Sequence, residues 1–115
     1  MNVQLHLGDC LDVMRGMPDG CVDAVVTDPP YNVGLKYLGA SDSRKDYARW
    51  CAAWFYECRR VARTVAFTPG TPNVRMWLNI EEPSLWLCNW RPNGSGYSKA
   101  GFCHWEPMLV WGDVL

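Results

Sequence analysis

The chain has 115 residues, a formal net charge of −1, 49% apolar residues and 20% charged residues. That fits one small soluble globular domain with a modest core. No apolar run approaches the ~20 residues of a membrane span, and the start MNVQLHLGD lacks the basic flank and apolar stretch of a secretion signal, so a cytosolic chain is expected.

In chain order, Val3 to Leu7 alternates and ends in Gly8-Asp9, which predicts a short strand. Leu11, Met14 and Met17 then fall at helical spacing, and Pro18-Asp19-Gly20 reads as a turn. Val22 to Thr27, VDAVVT, predicts a second strand, apolar enough to be covered on both faces. Asp28 to Asp42 is a loop rich in Gly, Asn and Pro. A helix is predicted after Ser43, with Asp46 placed to assist its cap. Its apolar stripe is Tyr47, Cys51, Trp54, Cys58 and Val61.

Thr64 to Thr68 predicts a third strand closed by Pro69-Gly70, and Asn73 to Leu78 a short helix. Leu85 to Trp90 is a fourth strand, Arg91 to Gly101 a loop, and Cys103 to Trp111 a last strand in which Pro107 marks a bulge or an edge position. The alternation implies an α/β sheet, mostly parallel, with an antiparallel pair at its C-terminal end.

Six cysteines, at 10, 21, 51, 58, 88 and 103, form no CxxC. Cys51 and Cys58 share a helix face but lie too far apart along it to bridge. Buried free thiols are the expectation, and no metal site; His104 with Glu106 resembles a ligand pair only loosely. Most of the seven tryptophans are expected in the core.

The strand Val22–Thr27 runs into Asp28-Pro29-Pro30-Tyr31. Neither proline can donate to a ladder, so the acid sits at the carboxyl end of a strand, the edge where open α/β sheets bind ligands. Asp28 offers a carboxylate acceptor. Pro29 offers a carbonyl held by restricted backbone angles, and Tyr31 a flat ring. Two acceptors beside a stacking face suit a planar group bearing an NH2, and would stabilise positive charge building on that nitrogen.

TDPPYNVG resembles the catalytic motif of the S-adenosylmethionine-dependent DNA amino-methyltransferases, which methylate the exocyclic nitrogen of adenine or cytosine. LHLGDCLDVMRGMPDGCVDAVVTDPPYNVG resembles the opening of the permuted group in which the catalytic half comes first. RRVARTVAFTPG and NWRPNGSGYSKAGFCHWEPMLVWG resemble the passage after the catalytic loop and the late hairpin near the target base. The resemblance implies a partial Rossmann-like methyltransferase sheet, with residues 1–115 forming one incomplete catalytic domain.

It also implies a catalytic set of Asp28, Pro29, Pro30 and Tyr31. Asp28 and the Pro29 carbonyl would accept from the target amino group, and Tyr31 would stack on a base flipped from the duplex. Asp9, Cys10 and Asp28 would contact S-adenosylmethionine, with Asp9 on its adenine amino group. Aspartate in the motif, where cytosine enzymes more often carry serine, favours adenine N6.

Residues 36–63 hold seven bases against three acids. Lys36, Arg44 and Lys45, with Tyr31 and Asn32, are therefore candidates to face DNA.

The chain lacks the Phe-x-Gly-x-Gly type loop that, in the family, wraps the methionine part of the cofactor. Weak or absent cofactor binding by this chain alone is expected. The strand ending at Asp28 is expected to lack its usual neighbour, so that Val3–Leu7, a second copy or another polypeptide would complete the sheet. Two rival readings follow: a truncated relic or partner subunit that keeps the fold without turnover, and a protein glutamine-amide methyltransferase of the related Asn-Pro-Pro-Tyr kind.

Overall fold

The computed structural model describes residues 2–38, 40–90, 96–98, 101–103 and 105–113. Helix α1 spans Cys10–Arg15 and strand β1 Val22–Thr27. A small hairpin, β2 (Lys36–Tyr37) and β3 (Ala40–Ser41), interrupts the loop that follows. Helix α2 (Tyr47–Val61) leads directly into β4 (Ala62–Phe67). A 3-10 turn, Thr71–Asn73, opens helix α3 (Val74–Ile80). Then come β5 (Leu85–Trp90), β6 (Gly96–Ser98), β7 (Gly101–Cys103) and β8 (Trp105–Gly112).

The main sheet has the order β1-β4-β8-β5. β1 and β4 pair in parallel, with α2 as their crossover, while β8 pairs antiparallel with both β4 and β5. This corrects the expectation of a mostly parallel sheet. β1, β4 and β5 do run the same way, but β8 inserts between β4 and β5. Two of the three strand interfaces therefore become antiparallel, so the sheet is mixed and mostly antiparallel.

Pro107 lies where β8 extends beyond β4 and pairs with β5 alone, and the β5 register runs through it without a bulge. An edge position is what a residue without an N–H requires. The predicted loop 91–101 includes the described hairpin strand β6, which pairs with β7; Arg91 to Ser95 lie outside the described residues.

The stripe on α2 packs as its spacing dictates. Tyr47, Cys51, Trp54, Cys58 and Val61 are all buried, and Phe55 joins them. They meet Phe67 of β4, Trp77 of α3 and Trp111 of β8. Edge-to-face rings dominate there, such as Trp54–Phe67 at 5.2 Å and Phe55–Trp111 at 4.8 Å; Phe67 and Trp111 stack at 4.8 Å. Three tryptophans, 54, 77 and 111, are buried, whereas Trp86 and Trp105 are 40% exposed. Trp50 packs partly buried against the same cluster, so four of the seven line the core as expected, while Trp86, paired with Leu109, and Trp105 stand on the β5–β8 pair at the end of the sheet away from β1.

The thiols divide in the same way. Cys51 and Cys58 are buried, while Cys10, Cys21 and Cys88 are exposed. Burial pushes the Cys51 and Cys58 thiols from 9.0 up to about 11. The folded state thus holds those protons more tightly than the unfolded chain. The associated stability is present below about pH 9 and is lost as pH rises through about 11. A melting temperature that falls over that window, and falls less in a Cys51→Ala/Cys58→Ala variant, is the expected result of a calorimetric pH series.

Three local expectations change. Val3 to Leu7 forms no strand; Leu5 and Leu7 are almost fully exposed, with no described strand beside them to complete a ladder. β1 is not covered on both faces: it is the sheet's edge, and Val26 is 73% exposed. Asp46 stands at the N-cap of α2 without capping it, because its carboxylate pairs with Arg44 at 3.1 Å. No helix among the described residues is long and apolar enough to cross a membrane.

Candidate functional site

Parallel pairing aligns Thr27 with Phe67, so the next residues, Asp28 and Thr68, leave the sheet side by side. Antiparallel pairing aligns Phe67 with Leu109, so the start of β8, carrying Glu106, projects past the same edge. Three sequence-distant segments therefore converge around Tyr31. Its hydroxyl donates to Asp28 Oδ1 at 2.5 Å, and lies 3.1 Å from Thr68 Oγ1 and 3.2 Å from Glu106 Oε1. The Thr68 hydroxyl also donates to Asp28 Oδ1 in a short hydrogen bond.

Two hydroxyls thus anchor one carboxylate oxygen of an exposed Asp28. The other, Oδ2, accepts no hydrogen bond among the described residues. Burial, and then the hydrogen bond to Asp28, push the Tyr31 phenol well above its ordinary value, so Tyr31 stays neutral and a donor.

The ring of Tyr31 lies against Gly70. A Cβ on Gly70, whose φ is +70°, would come within 2.8 Å of Tyr31 Cγ. Glycine is required there both by backbone conformation and by the approach of the ring. The loop beyond is tied down by its own polar groups. Buried Asp42 accepts from the Val33 and Gly34 amides at 2.9 and 2.8 Å, and Asn32, at φ +59°, accepts the Arg44 amide at 2.6 Å. Asn side chains tolerate the left-handed region and bond locally, which suits such a bend.

The other sequence-predicted residues fall into separate places. Asp9 caps α1, its Oδ1 accepting from the Leu11 amide at 2.8 Å. Cys10 begins that helix, its thiol raised by desolvation and by the Asp9 charge. No hydrogen bond joins either residue to the 28–31 loop among the described residues. α1 is fastened to α2 at its other end, where Arg60 donates to the Met14 and Met17 carbonyls and pairs with Asp19 and Glu57. Arg59 pairs with Glu81 at 3.4 Å.

Arg59 and Arg60 of the basic run are therefore occupied within the fold. Lys36, Arg44 and Lys45 stand exposed on the stretch following the loop, with Arg44 also lying over the Trp50 ring at 5.2 Å.

Sequence reasoning passed over Tyr47, Thr68, Gly70, Asn73 and Glu106 as members of the site. In the sequence, Tyr47 reads as core, Pro69-Gly70 as the close of a strand, Asn73 as the start of a helix and Glu106 only as a neighbour of His104. The signal available was the position of Thr68, at the carboxyl end of the strand parallel to β1.

The DNA methylase family model matches residues 22–86, which include β1, the 28–31 loop, α2, β4 and α3. The chain is similar to the Type II methyltransferase M.ScaI of Streptomyces caespitosus, at 33% identity over 69% of this chain and 23% of that protein. It is similar to the Type II methyltransferase M.BamHI of Bacillus amyloliquefaciens, at 38% identity over 52% of this chain and 15% of that protein. The Type II methyltransferase M.BglII of Bacillus subtilis is 32% identical over 52% of this chain and 16% of its own length. The chain thus spans less than a quarter of the length of each of these relatives. With an Asp-Pro-Pro-Tyr loop at the carboxyl end of β1 and a family match across more than half its residues, the chain belongs to the N6/N4 DNA methylase family.

Proposed function

We propose that this chain supplies the target-base half of a DNA methyltransferase site, in which a methyl group passes from S-adenosylmethionine to the exocyclic amino group of a flipped base, adenine N6 in preference to cytosine N4. The observation that carries this reading is Oδ2 of the exposed Asp28, which accepts no hydrogen bond among the described residues, on a loop anchored by Tyr31 and Thr68 and continued by the buried Pro29. Asp28 Oδ2 and the Pro29 carbonyl are two acceptors for the two N–H groups of a base amino group. As the nitrogen forms its new bond, positive charge builds on it. The Asp28 carboxylate stabilises that charge and is placed to receive the departing proton.

When bound, S-adenosylmethionine supplies an electrophilic methyl on a sulfonium. The chain's residues suit its adenine end: Asp9 keeps one carboxylate oxygen clear of the helix cap, able to accept from an amino group, with the Cys10 backbone beside it. DNA would approach along Lys36 and Lys45, which stand exposed, and along the exposed Arg44, whose guanidinium is already paired with Asp46 and would have to exchange that partner for a phosphate.

The outer side of β1 pairs with no described strand and carries the exposed Val26, and it is the place where a second copy or another polypeptide would complete the sheet. The same edge supports the reading of the chain as a partner subunit.

The test is product identification. The chain is incubated with methyl-labelled S-adenosylmethionine and adenine- and cytosine-containing DNA, and the nucleosides are resolved. Label in N6-methyladenine is expected. Label in N4-methylcytosine would reverse the choice of base, and none in either would reduce the chain to a non-catalytic subunit.

A further inference from the structure

We propose that Tyr47 and Asn73 are positioning residues that select which carbonyl of the 28–31 loop is presented to the target amino group. This rests on the reading of the loop as the amino-group site. After Asp28, the loop carries three successive carbonyls, those of Pro29, Pro30 and Tyr31. The two prolines remove N–H groups that could otherwise hold it by backbone pairing.

Side chains from elsewhere do that instead. The Tyr47 hydroxyl, at the start of α2, donates to the Pro30 carbonyl at 2.7 Å. Asn73 Nδ2, at the end of the 3-10 turn, donates to the Tyr31 carbonyl at 2.8 Å and to the Pro69 carbonyl at 3.0 Å. The same nitrogen lies 3.4 Å from the Tyr47 oxygen, so the two clamps adjoin. The Pro29 carbonyl accepts no hydrogen bond among the described residues.

The geometry of the clamps explains their effect. Tyr47 is 6% exposed and its ring packs 6.0 Å from Trp50, so its hydroxyl is aimed from the core rather than from a mobile surface chain. The Asn73 amide closes the turn by donating to the Gly70 carbonyl at 3.0 Å, which holds its side chain beneath the loop. With the second and third carbonyls turned inward onto these donors, the peptide planes that follow Pro30 and Tyr31 cannot rotate without breaking a hydrogen bond. The carbonyl of Pro29, a buried residue, takes no such partner and is left as the acceptor at the edge of the site. A shift of about 1 Å in such an acceptor costs roughly a hundredfold in the reaction it serves.

The test uses binding, not turnover. Duplexes carry, opposite an abasic site, either adenine or purine, which lacks the amino group. The chain is expected to bind the adenine duplex about tenfold more tightly. In Tyr47→Phe and Asn73→Ala that preference is expected to shrink to about twofold or less, while affinity for the purine duplex is kept. Asn73→Gln, which retains the amide, is expected to recover part of it. Tyr47→Phe removes one oxygen only and preserves the core ring, so it keeps the test valid if Asn73→Ala fails to fold. A preference unchanged in Tyr47→Phe would overturn the inference and leave the amino-group site standing. No preference in the unaltered chain would overturn that site and the inference with it.

Discussion

Gly112→Ala is expected to lower folding stability by about 3 to 5 kcal/mol, a large share of what a domain of this size possesses. Gly112 ends β8 and pairs with Thr64 of β4. Its φ is +94°, outside the range that side chains favour. A Cβ there would sit 1.9 Å from the Arg63 carbonyl oxygen and 3.0 Å from Arg59 Nη1. The first of these is backbone, so relief requires moving β4 away from β8, and those strands carry Val65, Phe67, Leu109 and Trp111 of the core.

Gly20→Ala separates the two causes. Gly20 has φ +60° but nothing within 4 Å of its Cβ position, so it bears backbone strain alone, about 1 kcal/mol. Thermal melts of both variants provide the check. Equal losses would mean that the close approach of β8 to Arg63 adds nothing to the cost of a Cβ at position 112.

Under the proposed function, Asp28→Ala is expected to reduce methyl transfer by about 100- to 1000-fold, the usual cost of deleting one preorganised group at a developing charge. Asp28→Asn keeps an acceptor oxygen but loses the negative charge, and a smaller loss of about tenfold or more is expected. A second consequence does not depend on turnover. The hydrogen bond and the charge of Asp28 both hold the Tyr31 phenol up, after burial, so either variant should bring it part of the way back toward its ordinary value. Carbon-13 NMR of the Tyr31 ring across an alkaline titration would read this directly. A Tyr31 titration that does not move would dissolve the Asp28–Tyr31 coupling on which the site is built.

The local elements were legible because each rests on short-range rules. The α2 stripe follows from the 3.6-residue period, and all five predicted members are buried. β1 and β5 were bounded as found, since Pro-rich or Gly-rich turns flank apolar runs. The Asp-Pro-Pro-Tyr loop was likewise legible, because two prolines after a strand leave few backbone options, and its resemblance pointed to the family that the comparison then matched.

What tertiary structure alone decided was adjacency. Strand direction could be inferred from connections, but strand order could not, because nothing local in Trp105–Gly112 says that it inserts between β4 and β5. From that insertion came the antiparallel character of the sheet, the meeting of Glu106 with Tyr31, and the need for glycine at 112. The same holds for the exposed Val3–Leu7 segment, whose alternation signals a capacity for pairing, while a ladder also needs a neighbour with free backbone groups. Composition and periodicity act over a few residues; hydrogen bonds such as Tyr47 to Pro30 and Asn73 to Tyr31 join positions 17 and 42 apart, which only the folded chain brings together.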